Sequence, residues 1–191
     1  MRYASIRSMD ISNGEGVGIS LFVQGCHFHC KNCFNKDTWD FNGGKEWIPE
    51  IEDKFIELAS RPYIKRISIL GGEPLTDENL DGVLNLVNRI RLLLPEKTIW
   101  LYTGYRVQEV DEYNGLIFNR GNEDIISQFT FSSIMNHNKR SEIARMCNIL
   151  VDGRYIDSQR NISAKWRGSS NQRVIDIQES LKQNKVVLYC D

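Results

Sequence analysis

At 191 residues, 41% hydrophobic and 10% aromatic, the chain is long enough to bury one sizeable core and is expected to form a single domain, 1–191. Twenty-four basic and 25 acidic residues leave a formal charge of -1, which argues against the one-signed field that holds nucleic acid or an anionic membrane. No apolar run approaches the roughly 18 residues of a membrane span, the first residues lack the apolar centre of a signal peptide, and five cysteines suit a reducing, cytoplasmic setting better than a disulfide framework.

Residues 1–17 carry few periodic apolar positions and include Asn13-Gly14-Glu15-Gly16, so a turn-rich lead-in is expected. The glycine-bounded run 18–24 reads as a strand buried on both faces. Pro49 is suited to open a helix whose Ile51, Phe55, Leu58 and Ala59 recur at helical spacing, with Arg61-Pro62 ending it. A second strand, 64–70, stops at Gly71-Gly72-Glu73-Pro74. Thr76 is the expected N-cap of a long helix carrying Leu80, Val83, Leu84, Val87, Ile90 and Leu94 on one face. A third strand, 98–102, ends at Thr103-Gly104-Tyr105, and a fourth, 148–151, ends at Asp152-Gly153-Arg154. Between them, Asn114-Gly115 and Asn119-Arg120-Gly121-Asn122 mark turns, and 112–145 has no assigned role. After a polar stretch, 173–177 and 185–190 read as two further strands around a short helix.

Strands alternating with helices imply parallel pairing through crossovers, and in barrel-like α/β folds the C-terminal strand ends form one working face. Four successive strands here end in glycine-containing polar motifs, so the four motifs are expected to share one site. The chain is too short for eight units; a partial barrel of about six mostly parallel strands is the expected α/β fold.

The chemistry concentrates in Cys26-His27-Phe28-His29-Cys30-Lys31-Asn32-Cys33. Three clustered thiols favour zinc, cuprous copper or an iron-sulfur cluster over oxygen-loving cations. A closed structural site takes four protein ligands, whereas three leave a position for a small molecule. His27 or His29 would complete a structural zinc site, although such sites usually draw on separated ligand pairs, and no second pair exists here. Cys147 and Cys190 stand far away and read as small buried residues. Gly14-x-Gly16-x-Gly18 precedes its strand and so is not a dinucleotide fingerprint.

The spacing Cys26-x3-Cys30-x2-Cys33 resembles the signature of the radical S-adenosylmethionine enzymes. With Asn13-Gly14-x-Gly16, Gly71-Gly72-Glu73-Pro74-Leu75, Thr103-Gly104-Tyr105, Val151-Asp152-Gly153 and 166–172 (Trp-Arg-Gly-Ser-Ser-Asn-Gln), most of the chain is similar to one branch, the anaerobic ribonucleotide reductase activating proteins.

That resemblance implies a partial (β/α)6 barrel with its active site at the strand C-terminal ends. It implies a 4Fe-4S cluster on Cys26, Cys30 and Cys33, its fourth iron chelated by S-adenosylmethionine. Reductive cleavage would give methionine and a 5'-deoxyadenosyl radical, which abstracts hydrogen from a glycine of the large subunit of anaerobic ribonucleotide reductase. An electron donor such as flavodoxin or ferredoxin is implied as well. Asn32, Cys33 and Phe34 would lie against the adenosyl part. Gly71, Gly72 and Glu73 would bed the ligand, Asp152 would hold the ribose, Arg154 the methionine carboxylate, and Thr103 a neighbouring position. Trp166 and Arg167 would shape the site or the partner surface. Two departures from the pattern are Glu15 where a proline is usual and Asn32 where an aromatic residue often precedes the third cysteine. The rival readings are a radical enzyme acting on a small molecule, of the deazapurine synthase type, and a zinc-stabilised binding module.

Overall fold

The computed structural model describes residues 1–111, 115–119 and 131–190. Its elements are β1 (Arg2–Asp10), β2 (Gly18–Val23), β3 (Lys45–Glu46), α1 (Pro49–Ala59), β4 (Arg66–Gly71), α2 (Leu80–Leu93), β5 (Thr98–Tyr102), β6 (Arg106–Asp111) and β7 (Gly115–Asn119). They continue with α3 (Phe131–Arg145), β8 (Ile149–Asp152), β9 (Arg173–Asp176), α4 (Ile177–Gln183) and β10 (Leu188–Cys190). One eight-stranded sheet runs β10-β9-β8-β5-β4-β2-β1-β3, and β6-β7 form a separate antiparallel ribbon.

The centre of the sheet, β2-β4-β5-β8, is parallel, as the strand-helix alternation requires. Its flanks differ from the expectation. β1, β3, β9 and β10 all pair antiparallel, so the sheet is mixed instead of mostly parallel, and it holds eight strands instead of about six. Residues 11–17 join β1 to β2 as a short loop and the small helix α4 joins β9 to β10, connections that return a strand in the opposite sense, whereas β8 reaches β9 through the long segment 153–172. The lead-in is also strand for most of its length. β1 alternates irregularly in burial, which hides it from a periodicity reading, but its pairing with β2 covers one sheet edge.

Alternation along the central strands divides the sheet's two faces. Ile19, Leu21, Val23, Ile67, Ile69, Ile99, Leu101 and Leu150 face one way and join the main core with Phe55 and Ala59 of α1 and Val83, Val87 and Ile90 of α2. Ser20, Phe22, Arg66, Ser68, Trp100, Tyr102, Ile149 and Val151 fall at the opposite positions, of which Trp100, Ile149 and Val151 form a second cluster with Val174. The helical face is therefore oily and the other face mixed.

Pro49 opens α1 at its first turn. Helix α2 starts later than expected, after Asn79. The hydroxyl of Thr76 donates to Glu78 instead of capping, and the Asn79 amide reaches the carbonyls of Gln24 at 2.9 Å and Glu73 at 3.1 Å. The turn expected at 119–122 and residue 114 lie largely outside the described residues. Of the unassigned 112–145 stretch, the described part supplies β7 and α3, which docks through Arg140 Nε to the Leu75 carbonyl at 2.8 Å. Among the described residues, no helix is long and apolar enough to cross a membrane.

Candidate functional site

The register of the parallel strands, Val23 opposite Gly71 and Tyr102 opposite Val151, brings their C-terminal ends to one edge. There a cavity of about 590 Å³ opens, lined by residues that include Cys26, Gly72, Thr103 and Gly153, one from beyond each strand.

The cysteine loop leaves β2 through Gly25, at φ 95°, where a Cβ would lie 2.3 Å from the Phe41 ring. Backbone hydrogen bonds tie Gly25 to Thr38 at 2.8 Å and Cys26 to Trp39 at 3.1 Å. His29 and Asn32 both take left-handed backbone, φ 46° and 56°, folding the loop so that Cys26, Cys30 and Cys33 all line the cavity. The two histidines do not. His27 bonds Glu78 at 2.7 Å and packs on Phe41, while His29 packs on Trp39, so neither stands as a fourth ligand.

Two of the thiols are held protonated by their surroundings. Burial, and then the Glu73 carboxylate, push Cys26 up to about 12. Burial and the neighbouring Cys33 raise Cys30. As ligands, thiols are deprotonated by the metal they bind. Among the described residues no group of three His, Cys, Asp or Glu side chains is arranged to hold a metal ion. A 4Fe-4S cube presents a different iron to each thiolate, so three thiols spread along one cavity wall fit it without sharing an ion.

Behind the cysteines, Gly72 approaches the Gly25 backbone so closely that a Cβ would sit 2.4 Å from the Gly25 oxygen. The Glu73 N–H donates to that oxygen at 2.8 Å. The Gly-Gly pair is thus required by backbone meeting backbone, in addition to any approach to a ligand. Glu73 itself is 2% exposed. Its carboxylate accepts from Thr103 Oγ1 and Gly104 N–H at 2.7 Å and from Leu75 N–H at 2.9 Å, locking the second and third strand-end motifs together. Burial nevertheless raises it to about 7, the hydrogen bonds acting in the opposite sense.

Of the other expected residues, Phe34, Gly71, Thr103 and Arg154 line the same cavity, whereas Asn32 and Asp152 do not. The Arg154 guanidinium lies 4.4 Å over the Phe28 ring. Asn32 turns outward to donate to Asp157 at 2.8 Å. Asp152 corrects an expectation: with Leu150 it occupies the opposite parity to Val151, and its carboxylate accepts from Val107 N–H at 2.9 Å and from Arg173. A residue expected on the ligand side is instead fully buried and fixes β8 to β9.

The segment between β8 and β9 forms a strap along the cavity. Gln172 Oε1 accepts from Gly168 N–H at 2.9 Å and Ser169 N–H at 3.1 Å, and its amide donates to the Gly153 carbonyl at 2.9 Å. Trp166, at φ 56°, packs edge-on against Trp100 with centroids 4.9 Å apart. Tyr102 and Arg160, which line the cavity, were not expected there; period-2 alternation from Trp100 would have marked Tyr102, and nothing in the sequence marks Arg160.

Comparison with known proteins agrees with this geometry. Residues 12–175 match the family described as "4Fe-4S single cluster domain". The chain is 35% identical over 176 residues to the anaerobic ribonucleoside-triphosphate reductase-activating protein of Salmonella typhi, covering 91% of this chain and 97% of that one. It is 34% identical over 174 residues to the protein of the same name from Vibrio cholerae, covering 90% and 96%. The protein of that name from enterobacteria phage T4 is 30% identical over 91% of this chain and 93% of its own. The chain belongs to the family of anaerobic ribonucleoside-triphosphate reductase-activating proteins.

Proposed function

We propose that the chain is a cytoplasmic enzyme that activates an anaerobic ribonucleotide reductase by radical S-adenosylmethionine chemistry, within one domain whose four parallel strands form the core of a partial α/β barrel. Support comes above all from three thiols that, among the described residues, line the cavity with no histidine beside them, set at the shared C-terminal edge of four parallel strands.

Cys26, Cys30 and Cys33 hold the cluster. With S-adenosylmethionine bound, a reduced cluster held there would supply the one-electron chemistry that cleaves the sulfonium carbon-sulfur bond to methionine and a 5'-deoxyadenosyl radical. The protein's part is to bind, orient and exclude water. Backbone at Gly71, Gly72 and Glu73 beds the methionine end, and Arg154 pairs with its carboxylate. Phe34, Thr103 and the backbone at Asn32 and Cys33 flank the adenosyl end. Asp152 contributes at one remove by fixing the strand from which Arg154 projects.

A macromolecular substrate, the reductase large subunit, is favoured over a small molecule by the cavity mouth. Phe34, 65% exposed, and Ile162, 87% exposed, both line it, leaving apolar surface that a protein partner would cover. An electron donor such as flavodoxin or ferredoxin would supply the reducing electron.

Anaerobic reconstitution tests the chemistry. The expected product is brown, holds about four irons per chain, and on reduction releases methionine and 5'-deoxyadenosine from S-adenosylmethionine. Colourless protein holding a single zinc would refute it.

A further inference from the structure

The loop that carries Cys30 and Cys33 is joined to the strap between β8 and β9 by side chains that the cysteine spacing does not announce. Asn32, the residue before Cys33, takes left-handed backbone at φ 56°, and its side-chain amide donates at 2.8 Å to the carboxylate of Asp157, 125 residues further along the chain. The other oxygen of that carboxylate accepts from the Tyr155 hydroxyl at 3.0 Å. The Tyr155 ring in turn packs edge-on against Phe34, the residue after Cys33, with centroids 5.4 Å apart. Two more strap residues reach the same ring: the Arg160 guanidinium lies 5.3 Å over it, and a Cβ on Gly168 would meet it at 3.4 Å.

The strap is stiff enough to pass this restraint on. Arg160 pairs with Ser169 in an antiparallel bridge, and the N–H groups of Asn161 and Ser170 donate to the carbonyls of Gly168 at 3.1 Å and Gln159 at 2.8 Å. Gln172 ties Gly168 and Ser169 to Gly153. Holding Asp157 therefore holds Arg160, Ile162 and Gly168 where they line the cavity. On the loop side, left-handed backbone is uncommon outside glycine and persists where the surroundings fix it; asparagine tolerates it best and has a side chain to fasten. Asn32 meets both needs.

We propose that Asp157 is a positioning residue for the cysteine loop: through Asn32 it holds the backbone that aims Cys33 and Phe34 into the cavity, and by the same bond it latches the strap over the cofactor. The effect on the cofactor rests on the function proposed above. The latch itself is a property of the protein's own side chains.

Two measurements keep these apart. The first is trypsin cleavage of the cluster-free, reduced protein, read by mass at Arg160, Lys165 and Arg167 of the strap. Cutting there requires local opening, so Asp157→Ala, and Asn32→Asp, which sets carboxylate against carboxylate, are each expected to speed it by about fivefold. Adding Asp157→Asn to Asn32→Asp restores the bond with donor and acceptor exchanged and leaves an oxygen for Tyr155. Because aspartate also tolerates left-handed backbone, the pair is expected to return to within about twofold of the unsubstituted rate. The second measurement is equilibrium binding of S-adenosylmethionine to cluster-loaded protein at equal iron content. Each of the two disrupting variants is expected to weaken it by about tenfold, and the exchanged pair to recover it. Unchanged strap cleavage in Asp157→Ala and Asn32→Asp overturns the latch, as does acceleration shared equally by sites outside the strap or a pair that fails to recover. Faster strap cleavage with unaltered cofactor affinity overturns the positioning role. If the unsubstituted, cluster-loaded protein binds no S-adenosylmethionine, the cofactor reading fails, while strap cleavage decides the latch.

Discussion

Arg66 is fully buried in the central sheet and makes the sharpest stability prediction. Its guanidinium donates to the carbonyls of Asp10 at 2.7 Å and Asn13 at 2.5 Å, to Asp10 Oδ1 at 3.2 Å, and to Ser68. Asp10, its side chain 2% exposed, accepts in turn from the N–H groups of Ser12 and Asn13 at 2.9 Å. This hub closes the loop that carries Ser12 and Asn13 into the cavity wall. Arg66→Met removes the cation and strands a buried carboxylate, a change worth about 3–5 kcal/mol. That is a large share of the roughly 5–15 kcal/mol a domain of this kind possesses. Burial raises the pKa of Asp10, but the hydrogen bonds from Asn13, Arg66 and Ser12 outweigh it and leave that pKa below the usual 3.8. A depressed carboxyl contributes stability above its unfolded value and loses it as pH falls through the folded one. The penalty of Arg66→Met should therefore be full at neutral pH and shrink as pH drops below 3.8. Urea denaturation of the cluster-free, reduced protein at pH 7 and at a pH well below 3.8 measures both. A loss under about 1 kcal/mol, or one independent of pH, would refute the reasoning.

Other substitutions separate the site's parts. Alanine at Cys26, Cys30 or Cys33 is expected to abolish cluster assembly and activity together, while His27→Ala and His29→Ala keep the cluster; iron content and the visible spectrum report it. Gly72→Ala forces a Cβ against the Gly25 oxygen, so S-adenosylmethionine affinity should drop by about tenfold or more, measured by equilibrium binding. Asp152→Asn should cost about 2 kcal/mol by loosening Arg173 and the Val107 N–H, seen in urea denaturation, with cofactor affinity nearly unchanged.

The three cysteines, the Gly-Gly-Glu-Pro turn and the parallel core were legible because each has a local signature: ligand spacing, glycine punctuation, and apolar runs alternating with helical periods. Other features were decided by long-range partners. β1 does not reveal itself by periodicity, since its burial follows from pairing with β2 and β3. Thr76 carries the residue type of a cap, yet Asn79 starts α2 because its amide is needed between two loops. Asp152 reads as a ligand-facing residue until parity with Leu150 turns it toward Arg173.

The activating function is tested most directly by electron paramagnetic resonance on the reductase large subunit after anaerobic incubation with the cluster-loaded, reduced protein and S-adenosylmethionine. A glycyl radical signal on the reductase, whose hyperfine structure changes when its glycine is deuterated at the α-carbon, is the expected result. Cofactor cleavage to methionine and 5'-deoxyadenosine with no such signal on the reductase would contradict it.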